Sequence, residues 1–283
     1  MSIIAPGAAI PGKAGFLRPK RADWFAASAV IASASLLLGA VVDWWRGWSS
    51  GDWWGMSFGI AAAVLMVLAA FYPLRRRLTV WPLRTAQEWL QFHVYGSTLA
   101  AIFVLIHMGF RWPSGQFGWW LLVLTVWTTA SGLAGVMLQK WIPLILADQL
   151  TVEAIFERIP ELVASRYREA ETLMTDAPDV MQRFYQSQVR PALAQLTPSW
   201  SYLVDAHSGR ERRLSAFHHI HAFIPNEHRD RLADLQTLVI EKMELDAHFT
   251  LQRLLRVWPL LHVPPAMCLL AAVAIHVAAV VYY

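Results

Sequence analysis

Four histidines in uncharged parts of the sequence share one repeated spacing. His93 and His107 are 14 residues apart in one apolar stretch, and His262 and His276 are 14 residues apart in another. In an α-helix, 14 residues make four turns less about 40° and rise about 21 Å, so each pair shares one helix face. The spacing is also two heptads, which keeps both positions on one seam of a supercoiled bundle. Two such helices side by side can therefore hold metal centres at two levels.

The helices that must position these histidines are predicted to span a membrane. An α-helix needs about 20 apolar residues to cross a hydrocarbon core, and lipid offers the backbone no hydrogen-bond partner. The chain is 56% hydrophobic and 16% charged, whereas soluble domains carry about 25% charged residues. Five stretches contain no charged residue: Trp24–Val42, Trp53–Leu74, Trp89–Phe110, Trp112–Gln139 and Val257–Tyr283. The sequence predicts an all-α integral membrane protein with a bundle of five transmembrane helices, and a very apolar soluble core is the alternative.

The flanking charges predict the orientation of this bundle. Basic residues concentrate in the N-terminal tail and in the link between spans two and three: Lys13, Arg18, Lys20, Arg21, Arg75, Arg76, Arg77 and Arg84. The positive-inside rule then puts the N-terminus in the cytoplasm and the C-terminus outside, with a bacterial inner membrane as the expected location. Because spans three and five run in the same direction, His93 should face His262 near the cytoplasmic side, and His107 should face His276 near the outer side. The basic residues lie beside spans, so no nucleic-acid partner is expected.

A polar segment separates spans four and five and divides the chain into four regions. They are a cytoplasmic tail at 1–23, transmembrane helices one to four at 24–139, a helical cytoplasmic insert at 140–256, and helix five at 257–283. In the insert, Pro160 and Pro178 are expected where helices restart, and apolar periodicity from Asn226 predicts one long helix running into span five. Its histidine-rich run, His218 to His221, indicates either a metal site or a solvated or partner-facing surface, and the lack of a fixed ligand spacing favours the surface.

Paired histidines inside a membrane are typical ligands of heme iron. Two neutral imidazoles make the iron six-coordinate and low-spin, which suits electron transfer rather than oxygen binding. The expected cofactors are two heme b groups, one at His93 and His262 and one at His107 and His276, and quinone is a further candidate. A metal-ion site, a proton relay, chlorophyll bound by single histidines, and simple hydrogen bonding to a neighbouring helix are the alternatives. The same spacing on two parallel helices favours heme.

Arginines near the spans, the single cysteine and the lack of a phosphate-binding loop give further evidence about cofactors. Arg84, Arg253 and Arg256 are expected near the cytoplasmic heme and Arg111 near the outer one, where they could pair with propionates or act only as topology signals. The single cysteine, Cys268, excludes a disulfide framework within the chain, a cysteine-ligated cluster and covalent heme attachment through C-x-x-C-H. No Gly-rich phosphate loop occurs, so no nucleotide or flavin domain is predicted.

The repeated histidine pairs resemble two known families. One is the ferric reductase-like transmembrane domain shared with NADPH oxidases, in which the third and fifth helices carry the pairs. The other is the respiratory cytochrome b of quinol–cytochrome c reductases, in which the second and fourth helices do. Two helices before the first pair favour the former, and the resemblance covers about 55–138 and 257–283. His93, His107, His262 and His276 match the heme-ligand positions of either pattern.

Departures from both families shape the functional expectation. Ferric reductases have a flavin- and NADPH-binding domain, cytochrome b has further helices and quinone-site motifs, and neither has so long an insert. We expect a di-heme subunit of a membrane oxidoreductase complex that is not catalytic alone. It would carry electrons between a quinone or cytoplasmic donor and a partner such as a c-type cytochrome, an iron–sulfur protein or a flavoprotein. The alternatives are a transmembrane reductase of iron or oxygen fed by a separate flavoprotein, and a non-redox anchor that binds pigment or metal.

Overall fold

The structure, a computed structural model, describes residues 22–73, 85–150 and 154–282. Within these ranges the chain is mainly helical and contains no strand, so the all-α prediction is confirmed. The α-helices are α1 (Ala22–Arg46), α2 (Trp53–Ala70), α3 (Ala86–His107), α4 (Gln116–Gln149), α5 (Ile159–Leu173), α6 (Asp179–Phe184), α7 (Arg190–Ala194), α8 (Arg210–His221) and α9 (Arg229–Tyr282). Arg84 and the other basic residues that predict the orientation lie outside the described residues.

Helices α1 to α4 and α9 are long and apolar enough, by length and composition, to cross a membrane. Between 6% and 28% of the residues in their most apolar windows are buried within the chain. Large apolar side chains such as Leu37, Ile60 and Val126 are instead exposed. An apolar surface of this extent needs a covering, and lipid of about 30 Å thickness suits helices of these lengths.

Several helices continue beyond the charge-free stretches that predict them. Helix α1 ends at Arg46, α4 runs past Lys140 to Gln149, and α9 begins at Arg229. A charged residue limits the stretch that is recognised as apolar, but it does not end the helix. A basic residue in the last turn, such as Arg46, interacts favourably with the helix dipole. The long helix predicted from Asn226 into span five is confirmed by α9.

The chain divides into two compact units. The apolar unit comprises Met1–Ala134 and Leu260–Tyr283, and the polar unit comprises Gly135–Pro259. The range predicted for the insert, 140–256, lies within the polar unit. Helices α4 and α9 each contribute residues to both units.

In the apolar unit, α3 packs closely against α2 and α1. Small residues such as Ala62, Ala69 and Ala100 are buried there, which lets helices without a hydrophobic driving force approach each other. The start of α3 is fixed by a capping box, in which Thr85 Oγ1 accepts from the Glu88 amide at 3.3 Å and Glu88 Oε2 accepts from the Thr85 amide at 3.0 Å.

The polar unit has its own hydrophobic core. Side chains from α5, α6, α8 and α9 meet in it, among them Met181, Phe217, Leu235 and Met243. Pro160 lies in the first turn of α5 and Pro178 directly precedes α6, which are the helix starts that the sequence predicts. The apolar positions of this unit thus turn inward, unlike those of the spans.

Candidate functional site: two pairs of facing histidines

Helices α3 and α9 present their histidines to each other in two pairs within the apolar unit. The ring centroids of His93 and His262 lie 6.4 Å apart with their planes at 81°. Those of His107 and His276 also lie 6.4 Å apart, with planes at 75°. Among the described elements, α3 and α9 lack the close backbone packing that joins α2 to α3, which leaves room between them. The structure therefore brings together the four histidines in the pairs that parallel spans predict.

The separation within each pair fits two imidazoles on opposite sides of one metal. A metal–nitrogen bond of about 2.0–2.1 Å, plus about 1.1–1.2 Å from the nitrogen to the ring centre, places two ring centres about 6.4 Å apart. Edge-to-face aromatic rings also lie about 4.5–7 Å apart, so the supporting feature is that the same separation occurs at both levels. All four histidines are partly buried.

Helix α2 holds His93 through a backbone carbonyl in its last turn. Nδ1 of His93 lies 2.9 Å from the Ala69 carbonyl oxygen. In a regular helix that oxygen accepts from the amide four residues later, but this position is Pro73, which has no N–H. The His93 Nδ1–H donates to this carbonyl, which also accepts from the Phe71 amide at the end of α2. The ring of Tyr72 packs against His93 with centroids 5.0 Å apart.

Helix α2 also holds His107, one level along the bundle. Nδ1 of His107 lies 2.8 Å from the Gly55 carbonyl oxygen. A Cβ at Gly59 would lie 2.9 Å from that Nδ1, so the ring can reach the backbone only because residue 59 has no side chain. At the end of α3, Trp48 Nε1 donates to the His107 carbonyl oxygen at 3.2 Å.

Helix α4 positions the histidine of α9 at the first level. The Ser131 hydroxyl lies 3.0 Å from Nδ1 of His262, and a Cβ at Gly132 would lie 3.2 Å from its Cε1. Trp127 Nε1 of α4 donates to the carbonyl of Leu261, the residue before His262, at 2.9 Å. Pro265 lacks the N–H that would otherwise bond this carbonyl, so a proline again frees an acceptor near a histidine.

These hydrogen bonds set the tautomer of the histidines. A ring whose Nδ1–H donates to a carbonyl keeps the lone pair of Nε2 for a metal. His93 and His107 donate to carbonyls, and His262 has a serine hydroxyl beside Nδ1. His276 has no hydrogen bond to its ring among the described residues, and Phe117 packs beside it with centroids 6.4 Å apart. At least three rings are thus oriented as metal ligands usually are.

Each pair offers a metal two protein ligands. Across the described ranges, no group of three or more His, Cys, Asp or Glu side chains could hold a metal ion. Protein-bound zinc takes three or four protein ligands, so an arrangement of paired histidines fits a cofactor that brings its own equatorial donors. In the polar unit, His218, His219 and His221 are exposed on α8.

The predicted arginines occupy different surroundings. Arg111 Nη1 donates to the Trp48 carbonyl at 3.2 Å, and because Trp48 also bonds the His107 carbonyl, this arginine lies at the level of His107. Arg111 and Asp43 are 3.8 Å apart and both mostly exposed. In the polar unit, Arg256 pairs with Glu157 and lies over the Phe156 ring, and Arg253 lies over Phe249. The propionate role of these arginines stays a prediction, and Arg84 lies outside the described residues.

Sequence reasoning missed the residues that orient the imidazoles. Pro73 and Pro265 each follow a hydrogen-bonded carbonyl by four residues, a spacing that a sequence search for freed acceptors would find. Gly59 and Ser131 carry no such signal, because glycine and serine are ordinary packing residues of membrane helices. Only the juxtaposition of α2 and α4 with the histidines identifies them.

Comparison of the chain with protein-family models, with curated proteins and with solved structures gave no match. The assignment of the site therefore depends on the geometry of the two histidine pairs.

Proposed function

We propose that this chain is a di-heme b-type cytochrome subunit of a membrane oxidoreductase complex. It carries electrons across the membrane between a quinone or cytoplasmic donor and a partner redox protein. The observation that carries this proposal is the same 6.4 Å separation of imidazole rings at both His93–His262 and His107–His276.

The ligand sets suit heme better than a bare metal ion. A heme b provides four equatorial nitrogens and a one-electron iron couple, so it needs from the protein only two axial imidazoles. The two levels are 14 residues apart on each helix, which is about 21 Å of rise and less than the hydrocarbon thickness of about 30 Å. Two centres at these heights can bridge most of the membrane.

The protein's own contribution is to orient ligands and exclude water. Ala69, Gly55 and Ser131 hold the Nδ1 sides of three rings, so Nε2 of each is directed away from its supporting helix. Hydrogen bonding at Nδ1 also makes each imidazole more basic, which strengthens it as a ligand. The apolar spans keep the surroundings at low dielectric. If each pair held one heme iron, histidines would supply both protein ligands and leave none for a substrate, so partner subunits would deliver and collect the electrons.

The primary test is the heme content of histidine variants. The purified full chain should contain two hemes with a reducible b-type spectrum. His93→Ala or His262→Ala should each remove one heme, and their combination should remove no more than either alone. His107→Ala or His276→Ala should remove the other. His219→Ala, on the exposed face of α8, is the matched control and should leave two. Full heme content in all four single variants would refute the proposal.

A second test separates the subunit from a self-sufficient reductase. Purified chain in liposomes is offered NADPH, a quinol or a reduced c-type cytochrome in separate experiments, and heme reduction is followed. We expect no turnover with NADPH. Steady NADPH oxidation by the chain alone would contradict the subunit proposal.

A further inference from the structure

The polar unit contains a cleft that the electron-transfer proposal does not use. Its volume is about 490 Å³, within the range of small-molecule sites, about 300–1,000 Å³. One wall is a π-helical turn, Tyr185–Val189, and the other is the segment leading into α8. Short π-helical turns occur often at functional sites because they are less stable than regular helix.

The polar side of this cleft carries two arginines without partners. Arg212 and Arg213 line it, and neither guanidinium has an ion pair or hydrogen bond among the described residues. By contrast, Arg166, Arg190 and Arg256 in the same unit all pair with glutamates. The buried acid near the cleft, Asp246, already accepts from Lys242 at 2.7 Å and from the Thr197 amide at 3.0 Å. The cleft therefore has uncompensated positive charge.

Tyr202 adds a buried donor to the same cleft. Its side chain is 5% exposed and lines the cleft, yet its hydroxyl makes no hydrogen bond within the part of the chain that the structure describes. Burial, together with the nearby Asp246, raises the pKa of Tyr202 to about 12, so the hydroxyl stays protonated at neutral pH. The hydroxyl of this otherwise buried side chain is not among the fully buried unpaired atoms, so it is accessible as a donor to a ligand in the cleft.

The first turn of α8 opens onto the cleft as well. Ser208 and Gly209 line it, and Gly209, the N-cap, has φ of 80° and no side-chain cap. The Arg210 amide already donates to the His207 carbonyl at 2.9 Å, and the next amides of the first turn, together with the positive end of the helix dipole, favour anions. The opposite lining is apolar, with Phe184, Val189 and Phe217.

We infer that this cleft binds a small organic molecule that carries a phosphate group. Arg212, Arg213 and the first turn of α8 receive the phosphate, and Tyr202 donates to it. The apolar wall receives the organic part. A phosphate fits better than a carboxylate because its three terminal oxygens can accept from two guanidinium forks, a phenol and helix amides together.

The test is calorimetric titration of the full chain in detergent with phenyl phosphate, inorganic phosphate and benzoate. Phenyl phosphate should bind saturably with one site per chain, more tightly than the other two. Arg213→Gln should weaken it about ten- to hundredfold, since a charged hydrogen bond is lost, and Tyr202→Phe about three- to tenfold. Arg229→Gln, an exposed charge at the start of α9 outside the cleft, is the matched control and should bind like wild type.

Thermal unfolding without ligand checks that each variant is folded. Absence of saturable binding by the wild type would overturn the inference. So would unchanged binding by Arg213→Gln, equal weakening in Arg229→Gln, or benzoate binding as tightly as phenyl phosphate. None of these variants changes a residue of the histidine pairs, so the binding test and the heme-content test can fail independently of each other.

Discussion

Gly59 lies so close to the imidazole of His107 that a Cβ on this residue would be 2.9 Å from Nδ1 and 3.0 Å from Cε1. The missing side chain lets the ring approach α2 and reach the Gly55 carbonyl oxygen at 2.8 Å. The glycine thereby controls the position of a ligand on another helix.

Gly59→Ala should expel the heme expected at His107 and His276 and retain the other. Alanine favours helix by about 1 kcal/mol over glycine, so α2 should persist while its new methyl group displaces the ring. Heme content measured on purified chain should fall from two to one. Gly115→Ala, where an added Cβ meets nothing within 4 Å, is the control. Two hemes and an unchanged spectrum in Gly59→Ala would show that the ring has space to spare.

Ser131→Ala should raise the reduction potential of the heme proposed to bind at His93 and His262. Ser131 donates to the Thr128 carbonyl at 3.2 Å, which leaves its oxygen to accept from Nδ1–H of His262 at 3.0 Å. This bond makes the imidazole a stronger donor and stabilises oxidised iron. Its loss should shift the potential upward by about 10–40 mV, since only part of a bond of about 1 kcal/mol differs between oxidation states. Redox titration measures the shift. Thr125→Val on the same helix should move neither heme, and a downward shift in Ser131→Ala would refute the role.

Much of this arrangement was predictable because lipid restricts what a chain can do. Backbone groups in hydrocarbon must bond within their own helix, so an uncharged stretch such as Trp53–Leu74 predicts a helix directly. The pairing of His93 with His262 follows from a shared spacing and parallel direction. The hydrogen bonds to Nδ1 could not be predicted, since they depend on which face of α2 or α4 lies against the rings. A glycine such as Gly59 has the same appearance in sequence whether it faces lipid, a helix or an imidazole.

Asp246→Ala should destabilise the polar unit by about 3–5 kcal/mol, the usual effect of leaving a buried charge unpaired. Lys242 and Asp246 are 2% and 1% exposed and 2.7 Å apart. Lys242→Met combined with Asp246→Ala should be less destabilising than the sum of the two single changes. Amide hydrogen exchange in α9 reports the loss of protection. Glu161→Ala breaks an exposed pair with Arg158 at 3.9 Å and should change stability by less than about 1 kcal/mol. Additive effects at Lys242 and Asp246 would argue against a coupled pair.

Tyr185→Phe should weaken the polar unit at neutral pH and much less in acid. The Tyr185 hydroxyl donates to Glu171 Oε1 at 2.8 Å, and this bond is the main reason that the pKa of Glu171 lies below its usual value of 4.5. A lowered folded-state pKa gives stability that is present above the unfolded value and lost as pH falls through the folded one. The Glu171 side chain is 42% exposed, so we expect a modest effect of about 0.5–1 kcal/mol at pH 7.

Hydrogen exchange of α5 and α6, measured from pH 7 to pH 3, follows this difference between Tyr185→Phe and the wild type. Thr172→Val is the control, since its hydroxyl bonds the Arg168 carbonyl of its own helix and should give a difference that does not vary with pH. If the loss of protection in Tyr185→Phe were the same at every pH, the hydrogen bond to ionised Glu171 would not be its cause.

The two carbonyls that hold His93 and His107 are themselves 14 residues apart, at Ala69 and Gly55. The spacing of the two carbonyls on α2 therefore matches the spacing of the two histidines on the antiparallel helix α3. Both hydrogen bonds can form at the same time because of this match. One residue inserted between 55 and 69 would turn one carbonyl by about 100° and move it about 1.5 Å relative to the other. Only one histidine could then keep its partner. Apart from Gly59, whose missing side chain makes room for His107, residues along this stretch of α2 can be exchanged, but the number of residues in it is fixed.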